Sequence, residues 1–152
     1  MHNIDVTHEN YRFNYRVGAF ITCRGKVLLQ KDESKTFYNL PGGSVKFGET
    51  TKQAITRELK EELNINISNA ELINVSENFF EWMGNKTTEL LFVYKVVLED
   101  GFFDTLSGMK VKDEYDEYVK WFDLKNLKKL ECKPAIIYEL PKLTKLTHRI
   151  NK

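Results

Sequence analysis

Four glutamates and an arginine stand at spacings that suit the chemistry of a divalent cation. Glu49 precedes Arg57, and Glu58, Glu61 and Glu62 follow directly after it. From Thr50 to Leu63 the apolar residues Ala54, Ile55, Leu59 and Leu63 recur at three- and four-residue steps, which predicts a helix. At about 100° per residue, Glu58, Glu61 and Glu62 share an arc about 100° wide. Ala54 and Ile55 project into or beside that arc, while Gln53, Thr56 and Lys60 occupy the other side. A merely solvated charged face would set the acids opposite the apolar residues. These acids also fill the last turns, where the helix dipole disfavours each by about 0.3–1 kcal/mol and like charges repel further. Two arrangements would offset this: ion pairing with Arg57 and Lys60, or a divalent cation held by hard oxygen ligands.

The segment before the helix bears on that choice. Leu40-Pro41-Gly42-Gly43 breaks regular structure, and the two glycines let backbone approach an ion or a phosphate closely. Loop, helix and acids together describe metal-dependent phosphate chemistry. Thr50 or Thr51 can cap the start of the helix, and Asn64 sits where a left-handed residue ends it.

Other elements must hold this constellation in place. Residues 14–23 and 26–31 read as strands joined by a tight turn at Arg24-Gly25. Two more strands, 70–82 and 87–98, flank Gly84-Asn85, which predicts a hairpin. Residues 99–117 are loop-like, and Tyr118–Phe122 reads as a short strand. Asp123 caps a short helix over 124–129, and Pro134–Leu140 reads as a last helix. The class is α+β, a sheet packed between helices, in one domain spanning 1–152.

The residues Gly43-x5-Glu49-x7-Arg57-Glu58-Leu59-x-Glu61-Glu62-x-Asn64-Ile65 resemble the signature box of the Nudix hydrolase superfamily, which includes MutT-like enzymes. The match covers residues 43–65. Tyr38-Asn-Leu-Pro-Gly-Gly resembles the family's Trp-x-Leu-Pro-Gly-Gly entry, with Tyr for Trp, and Trp121-Phe-Asp-Leu resembles a late strand and capped helix. Asn64 departs from the usual Gly, but Asn is the next-best residue at a left-handed position.

The resemblance implies a Nudix fold, an α/β/α sandwich around a mixed sheet. It also implies hydrolysis of a nucleoside diphosphate linked to another group, with Mg²⁺ (or Mn²⁺) as cofactor. Glu58 and Glu62, supported by Glu61 and a backbone carbonyl near Gly42, would ligate the metal. Arg57 would brace the glutamates by a forked hydrogen bond, with Glu49 behind it. The general base varies in this family between a box glutamate such as Glu61 and a carboxylate of a later loop. Here 113–117 supplies loop candidates, of which Glu114 is preferred. For the substrate, Gly43, Tyr38 beside the glycine loop and one of Phe80 and Trp82, which share strand parity, are expected to touch it, the aromatics as candidates for stacking on a base. Strand alternation is expected to bury about half of Phe79, Phe80 and Trp82.

Composition narrows the partners. Twenty-three basic and twenty-two acidic residues give a formal charge of +1, so no bulk field draws the chain to nucleic acid or an anionic membrane. Cys23 and Cys132 are too few for a disulfide framework, and His2, His8 and His148 lie far from the box. The N-terminus lacks a secretory pattern and no apolar run approaches a membrane span, so a cytoplasmic protein is expected. A small-molecule nucleoside diphosphate derivative is the expected partner, and a homodimer is compatible with this reading. The alternatives are a non-catalytic Nudix-like module that senses a nucleotide or binds a partner, and a relative that isomerises isopentenyl diphosphate. Such modules commonly lose box glutamates, which this chain keeps. The isomerases carry catalytic Cys and Glu in contexts absent here.

Overall fold

A computed structural model describes residues 2–67, 69–98, 100–106, 108–111 and 116–152. Its strands are β1 (Asp5–His8), β2 (Tyr11–Cys23), β3 (Lys26–Asp32), β4 (Gly42–Ser44), β5 (Glu71–Trp82), β6 (Asn85–Val97), β7 (Glu117–Asp123) and β8 (Thr147–Asn151). They form one mixed sheet in the order β7-β3-β2-β6-β5-β8, with β1 and β4 pairing on β2. β2 and β6 run parallel over twelve residue pairs from Tyr11↔Lys86 to Thr22↔Val97.

Local signals place the turns. Arg24 and Gly25 both have positive φ, 52° and 73°, and connect β2 to β3 in two residues. The second hairpin turns on Met83-Gly84 (φ 51° and 79°) instead of Gly84-Asn85, because Asn85 already pairs with Trp82. β3 pairs with β2 only at Thr22↔Val27 and Cys23↔Lys26, and then diverges from it. β4 takes the place beside β2, pairing at Arg16–Gly18. A residue with a side chain could not sit at Gly42, since its Cβ would lie 2.0 Å from the Val17 carbonyl oxygen. The glycine loop is thereby fixed at a split in the sheet.

The α1 helix (Thr51–Leu63) packs on one face. Its Ala54, Ile55, Leu59 and Leu63 meet Val17, Ala19 and Ile21 of β2 with Tyr94 and Val96 of β6. Burying Ile55, Leu59 and Leu63 contributes roughly 1.5–3 kcal/mol each. On the opposite face Phe20, Val27, Leu29, Leu91 and Val93 meet Leu127, Ile136, Ile137 and Leu140. Strand alternation sends the two sets apart, giving the expected three layers. Thr50 and Gln53 close a capping box at the start of α1. Asn64 ends it at φ 55° and ψ 34°, its N–H reaching the Leu59 and Lys60 carbonyls.

Several expectations need correction. The stretch Pro134–Leu140 is not an α-helix but two 3₁₀ turns, Ala135–Tyr138 and Leu140–Lys142. The stretch is short and Pro141 prevents its continuation, so too few α-helical bonds are available to offset the cost of starting a helix. The capped segment 124–129 is likewise 3₁₀, with Asp123 accepting from the Lys125 N–H. Within 99–117, Phe103–Leu106 forms a single α-turn. β1 and β8 were not anticipated; β8 carries one aliphatic residue, Ile150, and so shows almost no apolar alternation.

Candidate active site at the split in the sheet

Arg57 projects from α1 toward β4, and its five N–H donors are all engaged. Nε donates to Glu49 Oε1 at 2.5 Å and Nη2 donates to Glu49 Oε2 at 3.0 Å, a two-pronged fork. Nη1 donates to Glu58 Oε1 at 2.9 Å and to Glu61 Oε2 at 3.2 Å. Nη2 also donates to the Ser44 carbonyl oxygen at 3.1 Å. The same guanidinium thus joins three box acids to the backbone of β4. The Lys46 N–H donates to Glu49 Oε2 at 2.9 Å. The Arg57 hydrogen bond, aided by this backbone donor against the cost of burial, holds the Glu49 carboxyl below its ordinary range. In return Arg57 is raised further above its already high value. A lysine could not reproduce five planar donors.

Glu58 is 8% exposed and lies directly over Gly43. A Cβ at Gly43 would stand 2.4 Å from Glu58 Cδ, 2.5 Å from Oε1 and 2.7 Å from Oε2. The second glycine therefore makes room for a carboxylate. One oxygen of Glu62 is shut away from solvent, whereas the Glu61 side chain is about half exposed. Among the described residues no three His, Cys, Asp or Glu side chains converge as a ready metal cage. The ligand set expected from Glu58, Glu61 and Glu62 is present on one helix, but Glu58 and Glu61 are turned onto Arg57. Glu114 lies outside the described residues.

On the sheet face opposite α1, the strands wall a cleft of about 660 Å³. Phe80 and Trp82 line it, and Phe79 joins them. Strand alternation does not bury half of these rings: Phe79 and Phe80 stay 38% and 40% exposed and Trp82 half-buried. The reason is that they sit near the hairpin tip of β5 and β6 and line the open cleft. Tyr38 is not in the lining. Its ring packs edge-on against Phe122, 4.8 Å between centroids, as part of the second core. Gly43 touches Glu58 instead of the cleft, while Gly18, Asn39 and Leu40 line it. Five basic residues (Arg12, Arg16, Lys35, Lys133, Lys152) and two acidic ones (Glu81, Glu89) line this cleft, an excess absent from the whole chain.

Sequence reading missed the cleft floor. Asn14 of β2 and Asn78 of β5 are 1% and 4% exposed, and both face Glu89 of β6. The available signal was polar residues at every second position: Arg12, Asn14 and Arg16; Asn74, Ser76 and Asn78; Thr87 and Glu89. Only strand pairing shows that the three sets share one face.

Comparisons with known proteins agree with this geometry. A family model described as the NUDIX domain matches residues 12–141. An ADP-ribose pyrophosphatase of Methanocaldococcus jannaschii is 30% identical over 118 residues, covering 75% of this chain and 64% of that protein. An uncharacterised Nudix hydrolase of Bacillus subtilis is 26% identical, covering 72% and 66%. The chain thus spans slightly less than two thirds of these relatives' lengths. Among solved structures, a MutT protein from Bacillus halodurans superposes with a TM-score of 0.71 at 18% identity, covering 91% and 90% of the two chains. One from Methanosarcina mazei gives 0.61 at 22% identity, covering 90% and 97%. The box on α1, the fold that presents it and the family match lead to one conclusion: this chain belongs to the Nudix family.

Proposed function

We propose that this chain hydrolyses the pyrophosphate linkage of a nucleoside diphosphate joined to another group, using Mg²⁺ or Mn²⁺. The observation that carries the reading is the five-donor cradle of Arg57, which gathers Glu49, Glu58 and Glu61 at the split beside a cleft of nucleotide size. The donor chemistry fits a hard divalent cation. Carboxylate oxygens of Glu58, Glu61 and Glu62 and the Gly42 carbonyl are the oxygen ligands Mg²⁺ prefers, and Gly43 leaves open the space a Cβ would take from Glu58. Those residues would hold the metal, which when bound supplies charge neutralisation on the diphosphate and acidifies water.

The chain's own residues do the rest. Glu49 fixes Arg57 from behind, so the guanidinium orients Glu58 and Glu61 without freedom to rotate. Releasing either acid from Nη1 still leaves Arg57 its fork on Glu49 and its bond to Ser44. Glu61, the most exposed of the box acids, takes the proton of the attacking water; Glu114 is the competing base. Basic residues of the cleft hold the anionic substrate, with Phe80 and Trp82 under its base. A pyrophosphatase name in the archaeal relative supports the reaction class.

The test is a hydrolysis screen over ADP-ribose, dinucleoside polyphosphates, nucleoside triphosphates and sugar nucleotides with Mg²⁺. Turnover of at least one substrate, abolished by excess chelator, is expected. No turnover across the panel would favour a binding module, and full activity in chelator would remove the metal from the account.

A further inference from the structure

Asn14, Glu89, Asn78 and Asn151 form one row across four strands, each the direct partner of the next: Asn14↔Glu89, Glu89↔Asn78, Asn78↔Asn151. Their side chains are linked in the same order. Asn14 Nδ2 donates to Glu89 Oε2 at 3.3 Å, and Asn78 Nδ2 donates to Oε1 at 3.0 Å. The outer ends of the amides are engaged as well. Ser44 Oγ donates to Asn14 Oδ1 at 3.4 Å, and Asn151 Nδ2 donates to Asn78 Oδ1 at 2.7 Å. Both amides therefore present their NH₂ groups to Glu89, the only charged member of the row.

An ionised carboxylate offers about four acceptor positions. The two amides take one on each oxygen, and Glu89, half-buried in the cleft, keeps one on each oxygen for a ligand. Arg12, two positions along β2 from Asn14, is held in a fork by Asp5. Phe80 lies on the same sheet face, opposite Thr87, and Trp82 follows two residues on. A flat base lying on these rings would turn its edge to two parallel acceptors.

We propose that Glu89 determines base selectivity by accepting from two adjacent N–H donors of a guanine-type edge. This rests on the cleft being the nucleotide site of the proposed hydrolase. Guanine presents a ring N–H beside an amino group. Adenine and cytosine set a bare ring nitrogen beside theirs, and uracil flanks its single N–H with carbonyls, so each aims a lone pair at a carboxylate oxygen. Ser44 ties this edge to the chemistry: its hydroxyl holds Asn14, while its carbonyl oxygen accepts from Arg57.

Calorimetric titration of GMP, AMP and dGMP into the chain without metal tests this apart from catalysis. GMP should bind roughly ten- to a hundred-fold tighter than AMP, the range of hydrogen bonds to a charged group. GMP and dGMP should bind alike. Glu89→Gln replaces one acceptor by a donor, keeps the shape, and should erase the GMP preference or turn it toward AMP. Equal binding of GMP and AMP by the wild type overturns the proposal. So does a loss confined to dGMP, which would put a ribose diol on Glu89, or no binding of any nucleotide at millimolar concentration. A GMP preference without turnover in the screen would remove the hydrolase reading alone. Turnover with a preference unchanged in a folded Glu89→Gln variant would remove only the role of Glu89.

Discussion

Two adjacent glycines should fail in different ways when each is changed to alanine. At Gly43 the added Cβ would meet Glu58 Cδ at 2.4 Å, whereas ordinary contact begins near 3.4 Å, so the carboxylate must retreat by about 1.0 Å. The end of a glutamate side chain can do that at small cost to the fold. The main loss is the hydrogen bond from Arg57 Nη1, on the order of 1 kcal/mol while Arg57 keeps its other partners, or about 2–4 °C in Tm for a chain of this size. A metal ligand misplaced by about 1 Å, however, can lower turnover ~10²-fold. At Gly42 the Cβ would meet the Val17 carbonyl oxygen at 2.0 Å and Gly18 Cα at 3.0 Å, which are backbone atoms of β2. Nothing there can swing aside, so β4 must leave β2 and several kcal/mol of stability should go with it. Thermal melts and steady-state kinetics on Gly43→Ala and Gly42→Ala decide the matter. A Gly43→Ala variant with wild-type turnover would refute the placement of Glu58 in the site, and a Gly42→Ala variant of unchanged Tm would refute the pairing of β4.

Asn64→Gly should leave turnover and stability within ~1 kcal/mol of wild type, because the position is already left-handed at φ 55°, while Asn64→Val should lose both by straining the turn that carries Glu61 and Glu62; melts and kinetics check this. Glu49 is held below its ordinary pKa by Arg57, so the folded chain binds fewer protons than the unfolded one, and this stability is complete above the unfolded value and lost as pH falls through the folded one. Arg57→Lys should flatten that acid limb in denaturant titrations between about pH 5 and 3. An acid limb of unchanged slope would mean that Arg57 is not what holds Glu49.

The helix and its ends were legible because their signals are local. Thr50, Gln53 and Asn64 each act on backbone within five residues, and the three- and four-residue apolar steps of α1 leave one packing face. The role of Gly42 was visible only as permissiveness; that its Cβ would strike Val17 depends on a pairing 25 residues distant in sequence. The Glu58–Glu61 arc was legible too, whereas the state of those acids was not. Five planar donors on Arg57 draw Glu49, Glu58 and Glu61 to it, and sequence spacing does not show which way side chains turn. Phe79, Phe80 and Trp82 kept partial exposure because alternation says which face a ring takes, not whether anything covers that face. β8 and the polar row through Glu89 were invisible for a related reason: they are defined by partners on other strands.

The central claim, that the box acids on α1 are catalytic, is tested most directly by the turnover number of Glu62→Gln against wild type on whichever substrate the screen identifies. The substitution removes one charged oxygen ligand and almost no volume, so the melting curve should be nearly unchanged and turnover should fall by two orders of magnitude or more. A folded Glu62→Gln variant with the wild-type turnover number would contradict the account.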